Sequence, residues 1–277
     1  MTKDRIDRRF AALAAEGRAA FVTYMVAGDP DRATAQAILE GLPGAGADLI
    51  EVGFPFSDPM AEGPSIQLGS QRALKAGMTL QGTLDMVAGF RATDQDTPII
   101  LMGYLNPVLN RGFDRFAADA ASAGVDGLII VDCPPEESDP LADALDANGV
   151  ALIRLATPTT DDKRLPAVMR RTSGFIYYVS VAGVTGVKEA DADAVALPVQ
   201  RLRAASGLPV AVGFGIRTPT RAAEVARVAD AVVVGSALVD EVEGALNSGS
   251  NENVTERVLS KTAELAKAVR LARVRDA

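Results

Sequence analysis

The chain has 277 residues, of which 48% are hydrophobic and 23% are charged, and these proportions exclude an intrinsically disordered protein. Its 28 Lys and Arg against 36 Asp and Glu give a net charge of −8, which disfavours a nucleic-acid partner because the phosphate backbone is itself negative. No uncharged apolar run approaches the roughly 18 residues that a membrane-spanning helix needs, so we expect no membrane association.

The sequence has one cysteine and no histidine, which bears on where the protein works and on which groups can transfer protons. The N-terminal residues are charged and lack the apolar core of a secretory signal, and the single cysteine, Cys133, allows no disulfide within the chain. We therefore expect a cytoplasmic protein. The sequence has no histidine, so proton transfer must use carboxylates, tyrosine or lysine, and no metal site is expected.

The apolar pattern predicts a helix followed by eight strands that alternate with helices. The first helix is indicated by Ile6, Phe10 and Leu13, which share one helical face. Eight short apolar runs bounded by Gly, Pro or Asp then predict the strands Ala20–Val26, Leu49–Val52, Pro98–Met102, Gly127–Val131, Ala151–Leu155, Phe175–Val179, Pro209–Val212 and Ala231–Val234. A long helix is predicted at the C-terminal end, on apolar residues from Val254 to Val269.

Eight βα units with continuous apolar strands predict an α/β fold, a (β/α)8 TIM barrel with an extra N-terminal helix at its bottom. An open doubly wound sheet is the alternative, but the first βα turn, residues 26–30, lacks the glycine pattern that binds dinucleotide phosphates. Three strand entries repeat a small-residue pattern that ends in Asp48, Asp126 and Asp230. Since no linker interrupts the pattern, we expect residues 1–277 to form a single domain.

Two acidic residues are the candidates for catalysis. Alternation along the second predicted strand turns Ile50 and Val52 toward the helices and Glu51 toward the barrel mouth, where barrel enzymes carry their catalytic groups. A carboxylate inside an apolar strand is costly to bury, which favours a functional role. Glu62 lies in the long loop that follows, beside a Gly-Pro pair, and from there we expect it to reach over the mouth.

Glycine-rich loops follow the last three predicted strands, at residues 183–186, 213–216 and 235–236. Exposed amides in the last two loops and a helix that begins at Ser236 predict a phosphate site and a phosphorylated substrate. The aromatic residues at strand ends either hold a flat apolar ligand or pack in the core. A Schiff-base aldolase is disfavoured because none of the six lysines lies in a predicted strand.

Residues 51–67, EVGFPFSDPMAEGPSIQ, closely resemble the signature of the tryptophan synthase alpha chain family. The resemblance continues through YLNPV from Tyr104, VDCPPEES from Val131, YYVSVAGVTG from Tyr177 and VGFGI from Val212. It implies a lyase of tryptophan biosynthesis that cleaves indole-3-glycerol phosphate to indole and D-glyceraldehyde 3-phosphate. It further implies an alpha-beta-beta-alpha heterotetramer with a beta chain, no cofactor in this chain, and pyridoxal phosphate in the beta partner alone.

The resemblance also implies roles for individual residues. Glu51 matches the family's catalytic glutamate, and Glu62 matches an acid that is usually aspartate, so its carboxylate here carries one more methylene. Tyr177 matches a substrate-positioning tyrosine and Thr185 a lid threonine. Phosphate contacts are implied for Gly186, Gly215, Gly235 and Ser236, and indole contacts for Tyr24, Tyr104 and Phe214.

Two other functions stay open on the sequence. Another phosphate-binding barrel of aromatic amino acid synthesis is disfavoured, since the long signature around Glu51 is absent from such enzymes. A catalytically weak, alpha-like regulatory subunit that binds and modulates a beta partner is kept open by the departure at Glu62.

Overall fold

The strands of this protein are parallel and pair in chain order around one sheet. The computed structural model describes residues 4–180, 192–213, 215–248 and 254–274. Within these residues the strands are β1 Ala20–Val26, β2 Leu49–Gly53, β3 Ile99–Gly103, β4 Gly127–Ile130, β5 Ala151–Leu152, β6 Arg154–Ala156, β7 Ile176–Val179, β8 Val210–Gly213 and β9 Ala231–Val234. Their order across the sheet is β5-β4-β3-β2-β1-β9-β8-β7-β6.

The predicted fifth strand is two short strands, and this break closes the barrel. β5 pairs with β4 and β6 pairs with β7, so the two ends of the sheet are joined through Ile153. The Ile153 amide still donates to the carbonyl of Leu128 at 3.0 Å, and its side chain lies inside the barrel. The chain therefore changes neighbours at one residue, and the structure confirms the predicted (β/α)8 barrel.

Helices cover the outside and the bottom of this sheet. In chain order they are α1 Asp4–Ala15, α2 Arg32–Gly41, α3 Pro64–Lys75, α4 Leu80–Arg91, α5 Leu105–Arg111, α6 Phe113–Ala123, α7 Asp139–Ala147, α8 Leu165–Met169, α9 Ala192–Ser206, α10 Pro219–Val228, α11 Ser236–Asn247 and α12 Val254–Leu271. Side-chain caps start some of them: Asp31 accepts the amide of Thr34, and Thr79 accepts the amide of Gly82. None of the helices in the described ranges has the length and apolar character of a membrane span.

Helix α1 lies across the bottom of the barrel, as its apolar face predicts. Ile6, Phe10 and Leu13 are buried against side chains from the barrel interior. The rings of Phe10 and Phe175 lie 5.7 Å apart, centroid to centroid. Helix α1 thus seals the end of the barrel opposite the C-terminal strand ends, which the glycine-rich loops follow.

The repeated aspartates tie neighbouring strands together at this bottom end. The Asp48 amide donates to the Phe21 carbonyl at 2.8 Å, and the Phe21 amide donates to a carboxylate oxygen of Asp48 at 2.9 Å. The same reciprocal pair joins Asp126 to Ile99 and Asp230 to Val210. Each carboxylate also accepts from an arginine, namely Arg18, Arg91 and Arg203 in that order. The repeat in the sequence is therefore a repeated structural clamp.

Candidate active site

A cavity of about 210 Å³ opens at the C-terminal end of the strands. Its polar wall is formed by Tyr24, Glu51, Glu62, Thr157, Tyr177 and Ser236, and Gly215 and Gly235 also line it. Its apolar wall is formed by Ile66, Met102, Val131, Leu155, Val179, Ile216 and Val233. A ligand that is flat and apolar at one end and polar at the other matches these walls.

Glu51 lies in the middle of β2 and is 1% exposed. Neither of its carboxylate oxygens has a hydrogen-bond partner among the described residues. Burial, and then the nearby charge of Glu62, raises the pKa of Glu51 to about 8. Because an unpaired buried carboxyl is costly, Glu51 is held as a largely protonated acid that faces an open cavity.

Glu62 reaches the same cavity from the loop between β2 and α3. It is 5% exposed, and burial raises its pKa to about 7. Its amide donates to the carbonyl of Pro59 at 3.0 Å, and its own carbonyl accepts from Gln67 in the first turns of α3 at 2.9 Å. The sequence prediction that Glu62 reaches over the mouth therefore agrees with its placement.

Helix α3, which begins just after Glu62, is fixed by a partly buried ion pair. Arg72 on α3 contacts both carboxylate oxygens of Asp29, with its Nε at 2.7 Å and an Nη at 2.9 Å. The approach is close because Gly69 has no side chain: a Cβ there would lie 2.9 Å from the Asp29 carboxylate. The pair anchors the segment that carries Glu62 to the loop after β1.

Two tyrosines lie across glycines at the ends of neighbouring strands. Tyr24 on β1 is the register partner of Glu51 on β2. The Tyr24 hydroxyl packs against Gly53, where an added Cβ would lie only 2.2 Å from the hydroxyl oxygen. The hydroxyl oxygen of Tyr177 lies in the same way 2.1 Å from a Cβ position on Gly213. Burial first, and then the two glutamates, raises the pKa of both tyrosines, which therefore stay neutral. Both glycines make the room that these side chains need.

Tyr104 lies beside the cavity rather than among the residues that line it. Its hydroxyl accepts a hydrogen bond from the amide of Ala61 at 2.9 Å, and its ring stacks on Phe56 with centroids 5.2 Å apart. Tyr104 thereby holds the loop that carries Glu62. This loop contact is a role that the sequence did not indicate for Tyr104.

The three residues predicted to bind phosphate within the described ranges come together at one side of the cavity. Gly215 has a positive φ of 69°, which favours glycine, and follows β8. Gly235 precedes α11, and Ser236 is the first residue of that helix. The N-terminus of a twelve-residue helix is thus directed at the cavity, where its free amides favour an anion.

Three predicted site residues lie outside the described residues: Thr185, Gly186 and Phe214. One polar lining residue, Thr157, and the residues of the apolar wall were missed from the sequence. Thr157 comes directly after β6, and a polar residue at the end of a strand is the signal that could have indicated it. The apolar wall carries no such signal, since Met102 and Leu155 look like any other strand residues.

Comparison with known proteins gives a consistent set of relatives. The sequence profile described as "Tryptophan synthase alpha chain" matches residues 10–270. The chain is 78% identical over 274 residues to the tryptophan synthase alpha chain of Caulobacter sp. (strain K31), with 99% of each chain covered. It is 74% identical over 273 residues to that of Phenylobacterium zucineum, covering 99% of this chain and 98% of the relative.

Solved structures agree with the sequence relatives. Tryptophan synthase subunit alpha from Legionella pneumophila str. Paris superposes with a TM-score of 0.89 at 39% identity, covering 96% of this chain and 98% of that one. A chain of Mycobacterium tuberculosis tryptophan synthase superposes with a TM-score of 0.87 at 36% identity, again over 96% and 98% of the two chains.

Proposed function

This chain belongs to the tryptophan synthase alpha chain family, a family of lyases, and we propose that it cleaves indole-3-glycerol phosphate. The products are indole and D-glyceraldehyde 3-phosphate. The observation that carries the proposal is the buried carboxyl of Glu51, which has no hydrogen-bond partner among the described residues and has a raised pKa. This carboxyl faces a cavity with an apolar wall and a helix N-terminus. Stoichiometric formation of both products by the purified chain is the experiment that tests it.

The reaction is a retro-aldol cleavage in which the indole ring accepts the electrons. Glu51 in its protonated form donates its proton to C3 of the indole, which creates an indolenine cation. The resulting carboxylate then takes the proton of the neighbouring side-chain hydroxyl while the bond from C3 to the side chain breaks. That bonding pair restores the aromatic indole, the hydroxyl becomes the aldehyde, and Glu51 is protonated again, so the step balances without a co-reactant.

Glu62 stabilises the cation formed in this step. Its carboxylate, in the same cavity, accepts the indole N–H as positive charge develops on the ring. Tyr24 and Tyr177, which are neutral, contact the indole portion and position it against Glu51. The phosphate binds the amides around Gly215, Gly235 and Ser236, together with Gly186, and Thr185 belongs to a lid over the substrate. Phe214 contacts the indole, and Tyr104 supports the indole pocket from beside it by holding the loop that carries Glu62.

The heterotetramer with two beta chains is part of the same proposal. Two of the exposed apolar side chains lie on segments at the active-site end of the barrel, namely Met60, which is 72% exposed, and Leu109, which is 56% exposed. Tyr104, immediately before α5, connects the Met60 loop to the helix that carries Leu109. An apolar partner surface matches this end of the molecule. Pyridoxal phosphate belongs to the beta partner in this assembly.

Two further properties accompany the proposal. Residues 1–277 form one barrel domain, supported by the single sheet to which the described strands belong. The protein works in the cytoplasm, which suits a single cysteine that is free and buried. The regulatory alternative without catalysis is favoured by no observation, because Glu62 keeps a carboxylate in the cavity despite its longer side chain.

A further inference from the structure

Arg217 lies across the first turn of α11, at the phosphate side of the cavity. One of its terminal nitrogens donates to the hydroxyl oxygen of Ser236 at 3.3 Å, and the other forms an ion pair with Asp240. Ser236 and Asp240 are one helical turn apart and therefore share a face of α11. The guanidinium is held between the residue that lines the cavity and an acid one turn further along the helix.

Arg217 places a positive charge next to a cavity whose charged lining residues, among those described, are acidic. The lining residues that the structure describes include two acids, Glu51 and Glu62, and neither Lys nor Arg. A phosphate that enters meets helix amides and two buried carboxyl groups. Arg217 hydrogen-bonds directly to a lining residue, so its positive charge is one side chain away from the phosphate position.

The hydrogen bond also restricts the directions open to the Ser236 hydroxyl proton. Because the oxygen accepts from Arg217, its own proton is free to point away from the guanidinium and toward the cavity. A phosphate oxygen at the N-terminus of α11 is an acceptor for that proton. Asp240 holds Arg217 in place and neutralises part of its charge.

We propose that Arg217 is a specificity-determining residue that makes this site select a dianionic phosphate, by orienting the Ser236 hydroxyl and adding positive charge. The proposal rests on the proposed function, which supplies the phosphorylated substrate. It predicts opposite effects for the two members of the ion pair: removal of Arg217 weakens phosphate binding, and removal of the Asp240 charge strengthens it.

The test is calorimetric titration of the full-length chain with sn-glycerol 3-phosphate as the probe, at low and at high ionic strength. At low ionic strength Arg217→Gln weakens binding about fivefold to tenfold, Arg217→Lys stays within about threefold, and Asp240→Asn tightens binding about twofold. The effect of Arg217→Gln shrinks at high salt because a partly exposed charge is screened.

Arg257→Gln is the matched control. Arg257 is 42% exposed and pairs with Glu241, which is 28% exposed, whereas Arg217 is 40% exposed and pairs with Asp240, which is 29% exposed. Both acids lie on α11, so the two substitutions remove the same charge and a similar ion pair. Arg257→Gln leaves binding within about twofold of wild type.

The outcomes separate this proposal from the function it rests on. Equal binding by Arg217→Gln and Arg257→Gln overturns the role of Arg217. Ser236→Asp puts a negative charge at the helix N-terminus and abolishes binding if the phosphate site is correct. If Ser236→Asp loses binding but Arg217→Gln does not, only the role of Arg217 is rejected. If the wild type does not bind the probe, or if Ser236→Asp binds it unchanged, the phosphate site and the role of Arg217 are both rejected.

Discussion

Glu51 and Glu62 face the same cavity, and the charge of Glu62 is the second cause, after burial, that raises the pKa of Glu51. Two buried carboxyl groups whose charges interact do not both ionise readily, so the pair holds one proton near neutral pH. One member then acts as the acid while the other carries the negative charge. This division of roles between two like residues is what the cleavage of an indole substrate requires.

The pH dependence of kcat/KM is the first prediction. The reaction needs Glu51 protonated and Glu62 ionised, and the raised pKa values are about 8 and about 7. Activity therefore falls below about pH 7 as Glu62 gains a proton, and above about pH 8 as Glu51 loses one, which gives a bell-shaped profile. In Glu62→Gln, the residual activity loses its acidic limb, and its alkaline limb moves to lower pH. An alkaline limb that stays in place in this variant contradicts the coupling.

Glu51→Gln is expected to stabilise the folded protein. The native pKa of Glu51 is raised above its ordinary value of 4.5, so its contribution to stability is fully present below about pH 4.5 and is lost as the pH rises toward 8. Glutamine does not ionise, and at pH 7.5 the variant gains roughly 2 to 4 kcal/mol. Thermal unfolding at pH 7.5 and at pH 4.5 measures this gain. If the difference in stability between Glu51→Gln and the wild type is no larger at pH 7.5 than at pH 4.5, the pKa of Glu51 is not raised.

Glu62 is tested by two substitutions that differ in charge. Glu62→Asp keeps the carboxylate, and since the matching residue in the resembled family is usually aspartate, its kcat/KM stays within about tenfold of wild type. Glu62→Ala removes the group that balances the indole cation and lowers kcat/KM about a hundredfold or more. Steady-state assays of both variants decide the matter. Comparable activity in the two removes Glu62 from the mechanism.

Asp126 is expected to matter for stability and not for chemistry. Its buried carboxylate accepts from Arg91 at 2.6 Å, from Arg5 at 2.9 Å and from the amide of Ile99 at 2.8 Å. Asp126→Ala leaves the buried charge of Arg91 without this partner. We expect the free energy of unfolding, measured with urea, to fall by about 3 kcal/mol or more, while kcat of the folded enzyme is unchanged. Asp230→Ala is the control, because its partner Arg203 is 42% exposed and the loss is smaller. Equal losses contradict the role assigned to burial.

The sequence predicts the parts of this molecule that depend on local pattern. Apolar runs indicate the strands within a residue or so at each end, and alternation along β2 is enough to turn Glu51 into the barrel. The break at Ile153 is invisible, because the apolar run from Ala151 to Leu155 is continuous and the change of neighbour depends on strands far away in the chain.

Contacts between distant segments account for the rest. The aspartate repeat is visible in the sequence, but no local rule pairs Asp126 with Arg91 and Arg5. In the same way, nothing near Tyr104 indicates that its hydroxyl holds Ala61. Arg217 looks like an ordinary helix-flanking residue until the fold places it against Ser236. Site residues on strands are therefore predictable, and those that act through long-range contacts are not.

Indole release from indole-3-glycerol phosphate, by the purified chain with and without a beta chain, is the direct test of the proposed cleavage. The wild type is expected to release indole at a rate that rises when the beta chain is added. Glu51→Gln is expected to be at least about a thousandfold slower in both conditions because its acid and base are gone, while it still binds sn-glycerol 3-phosphate as the wild type does. Turnover by Glu51→Gln at the wild-type rate would contradict the role of Glu51, and no indole from a wild type that binds the substrate would contradict the proposed cleavage.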